Sequence, residues 1–340
     1  MKHLFNRYFH LIFIGLFFTL SGYLLSVPPI WDEWVYLQLA ASPFDQSQSL
    51  LSWVPHPPLL WCLLAIFSPA PRIAILFPST LCICFLFYVC RRLYGNEVAN
   101  LSVVVLISNW LYMLLSLVMF TDGPVAAFMT LSVLSFLCWE KLEDQKFLWL
   151  NGVGLALASM TKYTAVPILL LTFIVWLIVL RRSFNWFKVF KLFGVTVVSL
   201  LPLGVWIYSL SKLYGNIAFH YSLVNNLFPE GLLSTLTANL IYYAPWLLLL
   251  WGLPLISWNR RRLFDLDSKL LLIYLAVIFF FFMPINVRQF RYFLPMIPAM
   301  TVISARSLVK EKVSTRFLIL CPQFLFASLI SLVALLLRLV

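Results

Sequence analysis

The chain has 340 residues, 63% of them hydrophobic and 11% charged, and a mean hydropathy of +0.96. Soluble domains run at roughly 45–50% apolar and about 25% charged, so this composition excludes an ordinary water-soluble fold. The net charge of +12 does not mark a nucleic-acid binder either, because Lys and Arg fall in small clusters between apolar runs rather than on one solvated face.

Apolar runs recur along the whole chain, long enough at about 1.5 Å per residue to cross a hydrocarbon core of roughly 30 Å. The first covers residues 9–27, and Pro28-Pro29-Ile30 after it lacks a small-residue cleavage pattern, so the run is expected to be retained as a span. Pro57 to Phe67 is apolar but too short to span, and reads as an interfacial or re-entrant helix. Further spans are expected over 71–90, 98–118, 123–139, 147–161, 164–180, 189–209, 244–258, 268–285, 292–308 and 317–337. The expectation is an all-α polytopic membrane protein of about eleven helices, forming one domain over 1–340 with no separate soluble domain.

With that parity, 18 of the 24 Lys and Arg residues fall on one side, among them Lys2, Arg91, Arg92, Lys141, Arg181, Arg260 and Arg306. The other side receives Arg72, Lys162, Lys212, Arg288, Arg291 and Arg338. Positive charge marks the cytoplasmic side, which puts the N-terminus in the cytoplasm of a cell (inner or plasma) membrane. It also puts the long loops 28–70 and 210–243 outside. The cytoplasmic charges read as solvated loop residues.

The outside charges are more informative. Asp32, Glu33, Asp122, Lys162, Arg288 and Arg291 sit at or near outer helix ends in otherwise apolar sequence, where ionisable groups are costly and mark function. Each has a competing reading. Asp32-Glu33, between Trp31 and Trp34, suits the start of a helix and a dipole-stabilised cap, and Asp122 before Gly123-Pro124 suits an N-cap. Lys162, Arg288 and Arg291 could snorkel to headgroups. Together the cations suit a lipid phosphate, Arg through a bidentate fork and Lys as a point charge. His56 lacks a second His or Cys at metal-ligand spacing, and the six cysteines show no disulfide or metal pattern. No phosphate-binding Gly-rich loop or G-x-S-x-G elbow occurs, which argues against a nucleotide-driven pump and a serine hydrolase.

The run Trp31-Asp32-Glu33-Trp34-Val35-Tyr36, then His56-Pro57-Pro58-Leu59-Leu60-Trp61 and Arg72, resembles the bacterial GT-C glycosyltransferases related to aminoarabinose transferases and protein O-mannosyltransferases. Thr121-Asp122-Gly123-Pro124, Leu155 to Tyr163 and Arg291 to Pro298 are similar to that family's later landmarks, in the same order. The resemblance covers most of residues 1–308. It implies a GT-C fold with interfacial helices in its first outer loop. It also implies a polyprenyl- or dolichyl-phosphate sugar donor, an outer-face active site and inversion at the anomeric carbon.

On that resemblance Asp32 is the catalytic base, and Glu33 and Asp122 complete the catalytic group. Arg72, Lys162, Arg288 and Arg291 would hold the donor phosphate, while Trp31, Trp34, His56, Tyr163 and Tyr292 would shape the donor and acceptor sites. The reaction needs no cofactor and leaves room for a divalent ion without calling for one. Its expected partners are membrane lipid, the lipid-linked sugar and an acceptor that the sequence does not name; nucleic acid is not among them. Many relatives carry a longer C-terminal region that binds the acceptor, whereas this sequence reaches Val340 just past its last expected span. The expectation is then a partner membrane protein or a small lipid acceptor. The rival readings are a flippase for lipid-linked sugars, which needs matched halves and midplane charges, and a non-catalytic scaffold.

Overall fold

The computed structural model describes residues 33–41, 57–116, 118–180, 185–214, 234–242, 265–285 and 289–336, with parts of 11–22 and Pro29. Within them the elements are helical. They run α1 (Glu33–Ala41), α2 (Leu59–Ile66), α3 (Ile73–Tyr94), α4 (Asn96–Ile107), α5 (Trp110–Leu115), α6 (Asp122–Leu142), α7 (Gln145–Thr161) and α8 (Ala165–Val179). Then come α9 (Trp186–Tyr214), α10 (Leu266–Phe282), a 3-10 turn (Phe290–Phe293), α11 (Met296–Leu308) and α12 (Val313–Leu336). The segment 234–242 is also helical. Most of the expected spans 9–27 and 244–258 lie outside the described residues.

Among the described residues four helices, α3, α6, α9 and α12, are long and apolar enough to cross a membrane. Their surroundings differ. In its most apolar stretch α6 is 78% buried, against 22% for α9 and 18% for α12, so α6 is central and the other two carry lipid-facing surface. Exposed apolar side chains such as Phe190, Phe193, Leu325 and Leu329 would be costly in water but suit hydrocarbon. The eight-residue α2 is about 12 Å long, too short to span, as expected.

The expected span 98–118 is not one helix. It breaks after Ile107, and Asn109 adopts an extended conformation while its side-chain oxygen accepts the N–H groups of Leu111 and Tyr112, each at 3.1 Å. An Asn that caps a helix start competes with helix continuation, which hydropathy alone does not register. The backbone after α5 then runs non-helically through Val118 to Phe120 and delivers the chain to α6.

Close packing of the centre depends on small residues in α7. A Cβ on Gly154 would lie 2.5 Å from the backbone nitrogen of Ser132 in α6, and one on Gly152 would lie 2.5 Å from Val195 in α9. Beside them Asn151 is fully buried and donates to the Ser132 carbonyl and hydroxyl, both at 3.0 Å. Small residues and interhelical hydrogen bonds are how helices associate where lipid removes the hydrophobic driving force. Gly154→Ala is accordingly expected to destabilise the protein by about 1–3 kcal/mol through overpacking against rigid backbone. Gly194→Ala in α9, where a Cβ meets nothing within 4 Å, is expected to be neutral or stabilising. Thermal unfolding of the two purified variants in detergent checks the contrast; equal losses would remove the close-packing account.

Candidate active site

The motif Thr121-Asp122-Gly123-Pro124 opens α6, and each residue has a local reason. Asp122 occupies the first helical turn, where the helix dipole favours an anion. Gly123 is required because a Cβ would fall 2.7 Å from the carbonyl oxygen of Leu115, at the end of α5. Pro124 sits where an N–H has no intrahelical partner to lose. Thr121 makes no side-chain cap, and the Asp122 carboxylate does not act as the N-cap residue.

That carboxylate is instead held by two cations from distant parts of the chain. Lys162 Nζ lies 2.7 Å from Asp122 Oδ1, and Arg291 Nε lies 3.5 Å from Oδ2. All three side chains are largely buried, at 4% exposure for Asp122, 11% for Lys162 and 21% for Arg291. Lys162 follows the last turn of α7 in an extended conformation, and its ammonium sits 4.5 Å from the centre of the Tyr292 ring. Arg291 rides on the 3-10 turn, donates to Gln289 Oε1 at 2.7 Å and lies 4.6 Å from the centre of the Phe120 ring. Aromatic faces attract desolvated cations, so Phe120 and Tyr292 help hold the charges where water is excluded.

A second buried ion pair lies next to the first. Glu33, at the start of α1, is completely buried, and its Oε2 accepts from Arg72 Nη2 at 2.9 Å. Its other oxygen accepts the backbone N–H of Met119 at 2.6 Å. Met119 precedes Asp122 by three residues, so Glu33 ties α1 and the start of α3 to the turn that opens α6. Arg72 is thereby placed on Glu33, whereas Lys162 and Arg291 are placed on Asp122.

The aromatic residues divide. The Tyr163 hydroxyl accepts from Trp206 Nε1 at 3.1 Å, and Trp206 packs edge-to-face on Trp61 with ring centres 5.4 Å apart. Tyr292 stacks on Phe282 at 4.9 Å. Trp34 is exposed, at 55%. Trp31, Asp32, His56 and Arg288 lie outside the described residues. Among the described residues no group of three His, Cys, Asp or Glu side chains could hold a metal ion, and the described cysteines are unpaired. Phe120, Gln289 and Trp206 were not singled out by sequence. Phe120 adjoins the Thr-Asp-Gly-Pro motif, but Gln289 and Trp206 carry no signal beyond ordinary loop and span composition.

An apolar cleft of about 640 Å³ lies between α8 and α10, lined by Leu171, Val175, Ile273, Phe280 and Ile285 among others. It reaches Ile285, three residues beyond the Phe282 that stacks on Tyr292.

Removing one partner from a buried ion pair leaves an uncompensated charge and costs about 3–5 kcal/mol, so Arg72→Met is expected to lower stability by that order. Adding Glu33→Gln to it is expected to restore part of the loss, since neither member of the pair then leaves an uncompensated buried charge. Thermal unfolding of the single and double variants measures this; strictly additive losses would show that the two residues act separately.

The model of the dolichyl-phosphate-mannose-protein mannosyltransferase family matches residues 55–208. No curated protein matches the chain by sequence. Among solved structures, ArnT from Cupriavidus metallidurans in the apo state is 17% identical with a TM-score of 0.67, over 89% of this chain and 60% of that one. The same protein bound to undecaprenyl phosphate gives 17% identity and a TM-score of 0.68, over 95% of this chain and 62% of that one. This chain therefore spans about three fifths of the length of the structures it matches. The family model thus covers just under half of the chain, and the solved structures share its helical fold over about nine tenths of it.

Proposed function

We propose that this protein is a membrane glycosyltransferase that moves a sugar from a polyprenyl-phosphate donor to a lipid, glycan or protein acceptor on the outer face of the membrane. The observation that carries the reading is the convergence of Lys162 and Arg291 on the Asp122 carboxylate at the N-terminus of a central helix. Asp122 organises the two cations, and Lys162 and Arg291 present donors to the phosphate of the lipid carrier. The apolar cleft between α8 and α10 begins near the Phe282–Tyr292 stack and suits a prenyl tail. The solved structure of ArnT with undecaprenyl phosphate supports the choice of lipid.

In the proposed reaction Asp32 removes the proton from an acceptor hydroxyl or amine as that group attacks the anomeric carbon. The bond from that carbon to the phosphate oxygen breaks on the opposite face, which inverts the centre. Charge then grows on the departing phosphate, and Lys162 and Arg291 stabilise it, with Arg288 as a further cation by the resemblance. Arg72 acts through Glu33, which fixes the backbone at Met119 and so the turn leading to Asp122. Tyr292 supports Lys162, and Tyr163, next to Lys162 in the chain and held by the Trp206–Trp61 pair, keeps its role in shaping the donor and acceptor sites. Trp31, Trp34 and His56 remain assigned to donor or acceptor shaping. A phosphate leaves readily once its charge is compensated, so the scheme invokes no metal.

The direct test is incubation of the purified protein in lipid with labelled polyprenyl-phosphate sugars and a membrane extract. Transfer of label to an extractable acceptor is expected, and Asp32→Asn should reduce turnover by at least about 10²-fold, the lower end of general base catalysis. Arg291→Ala should raise the donor KM, with Arg291→Lys recovering part of it because the planar fork is lost. Label that crosses the bilayer untransferred would favour a flippase, and transfer indifferent to Asp32→Asn would favour a scaffold.

Orientation is tested separately. A reporter active only outside the cytoplasm should be active when fused after Asp45 and silent after Arg92; activity at both would overturn the parity and with it the outer-face active site.

A further inference from the structure

The charges at the far end of α6 do not behave as solvated loop residues. Lys141, in the last turn of α6, lies 2.5 Å from Asp267 in the first turn of α10. The hydroxyl of Tyr94, the last residue of α3, donates to the same Asp267 oxygen at 2.8 Å. Arg306, in the last turn of α11, pairs with Asp265, donates to the Ser268 hydroxyl at 3.1 Å and lies 4.4 Å from the centre of the Tyr94 ring. The Asp267 side chain is only 5% exposed. Each charge also matches the local helix dipole, the acids at the N-terminus of α10 and the bases at the C-termini of α6 and α11.

A buried ion pair is weak evidence for stability, because desolvation offsets most of its attraction, and its better-attested use is to set register. The register at issue here is visible. Contacts between the start of α10 and the end of α11 make these helices an antiparallel hairpin, and Arg291 and Tyr292 ride on the turn between them. The hairpin meets α6 through ion pairs at both ends, separated by 19 residues or about 28 Å of helix. At one end α6 supplies the acid, Asp122, and the hairpin the base, Arg291. At the other α6 supplies the base, Lys141, and the hairpin the acid, Asp267.

We infer that the Tyr94–Lys141–Asp267 cluster, with the Asp265–Arg306 pair, is a remote clasp that sets the hairpin's register on α6 and thereby positions Arg291 at Asp122. Each pair holds over only a few ångströms, so a slide of the hairpin by one turn, about 5.4 Å, breaks both ends at once. Helices transmit such displacements along their length, so loosening the clasp is felt at the turn carrying Arg291. The effect on donor handling rests on the proposed role of Arg291; the positioning of the turn does not.

Amide hydrogen exchange and donor kinetics of Lys141→Gln in lipid nanodiscs test the clasp. This variant keeps the Tyr94 bond to Asp267 and should fold; Asp267→Asn is the stronger companion. Exchange across 290–294 is expected to speed by at least about 2-fold, the low end of long-range coupling, with exchange in α7 unchanged. Donor KM should rise in the wild-type background and not rise further in an Arg291→Ala background, since the effect passes through Arg291. Unchanged exchange at 290–294, or KM effects that multiply, would overturn the clasp. If the wild type turns over no polyprenyl-phosphate sugar, the functional reading fails while the exchange result still decides the clasp.

Discussion

A carboxylate removed from water at the edge of an apolar bundle must be compensated, because desolvating an ion costs several kcal/mol. Asp122 is compensated three ways: by the N-terminal dipole of α6, by the Lys162 ammonium and by the Arg291 guanidinium. Each requires a different part of the chain to be in place. Gly123 lets the start of α6 approach the end of α5, Gly154 lets α7 lie close enough to deliver Lys162, and the α10–α11 hairpin delivers Arg291. The packing of the core and the assembly of the site are therefore one problem with one solution.

Glu33 extends this frame to the Asp-Glu motif. With one oxygen on Arg72 and the other on the Met119 N–H, it leaves little freedom in how α1 meets the turn before α6. Asp32, the proposed base, is its neighbour in the chain. For an in-line displacement this matters, since the base and the leaving-group cations must act on opposite faces of one carbon, and positioning of that kind supplies a large share of rate enhancement.

The periphery follows a different rule. Helices α9 and α12 present exposed Phe, Leu and Val where a soluble protein would present charge, and the cleft between α8 and α10 is lined by apolar side chains. Among the described residues the ion pairs lie at the ends of the bundle. Satisfied ion pairs sit at both, Asp122 with Lys162 and Arg291 at one, Asp267 with Lys141 and Tyr94 at the other. Between them α6 runs almost wholly buried.

The sequence by itself determined the membrane class, the position of most helices and the set of charges worth noticing, because hydropathy over about 20 residues and the cost of a charge near lipid are local properties. It also determined that Pro57 to Phe67 is too short to span. It did not reveal the break at Asn109, where a single side-chain cap outweighs an apolar run. Nor did it say which charge meets which. Arg72 and Arg291 look alike along the chain, yet one is committed to Glu33 and the other to Asp122, and Lys141 and Arg306 look like solvated topology signals while closing a partly exposed network with the buried Asp267 and with Asp265. Those pairings span from 39 to 169 residues along the chain. Only the packing of α6 against α3, α7 and the α10–α11 hairpin decides them, because an ion pair depends on a few ångströms of separation that no local pattern encodes.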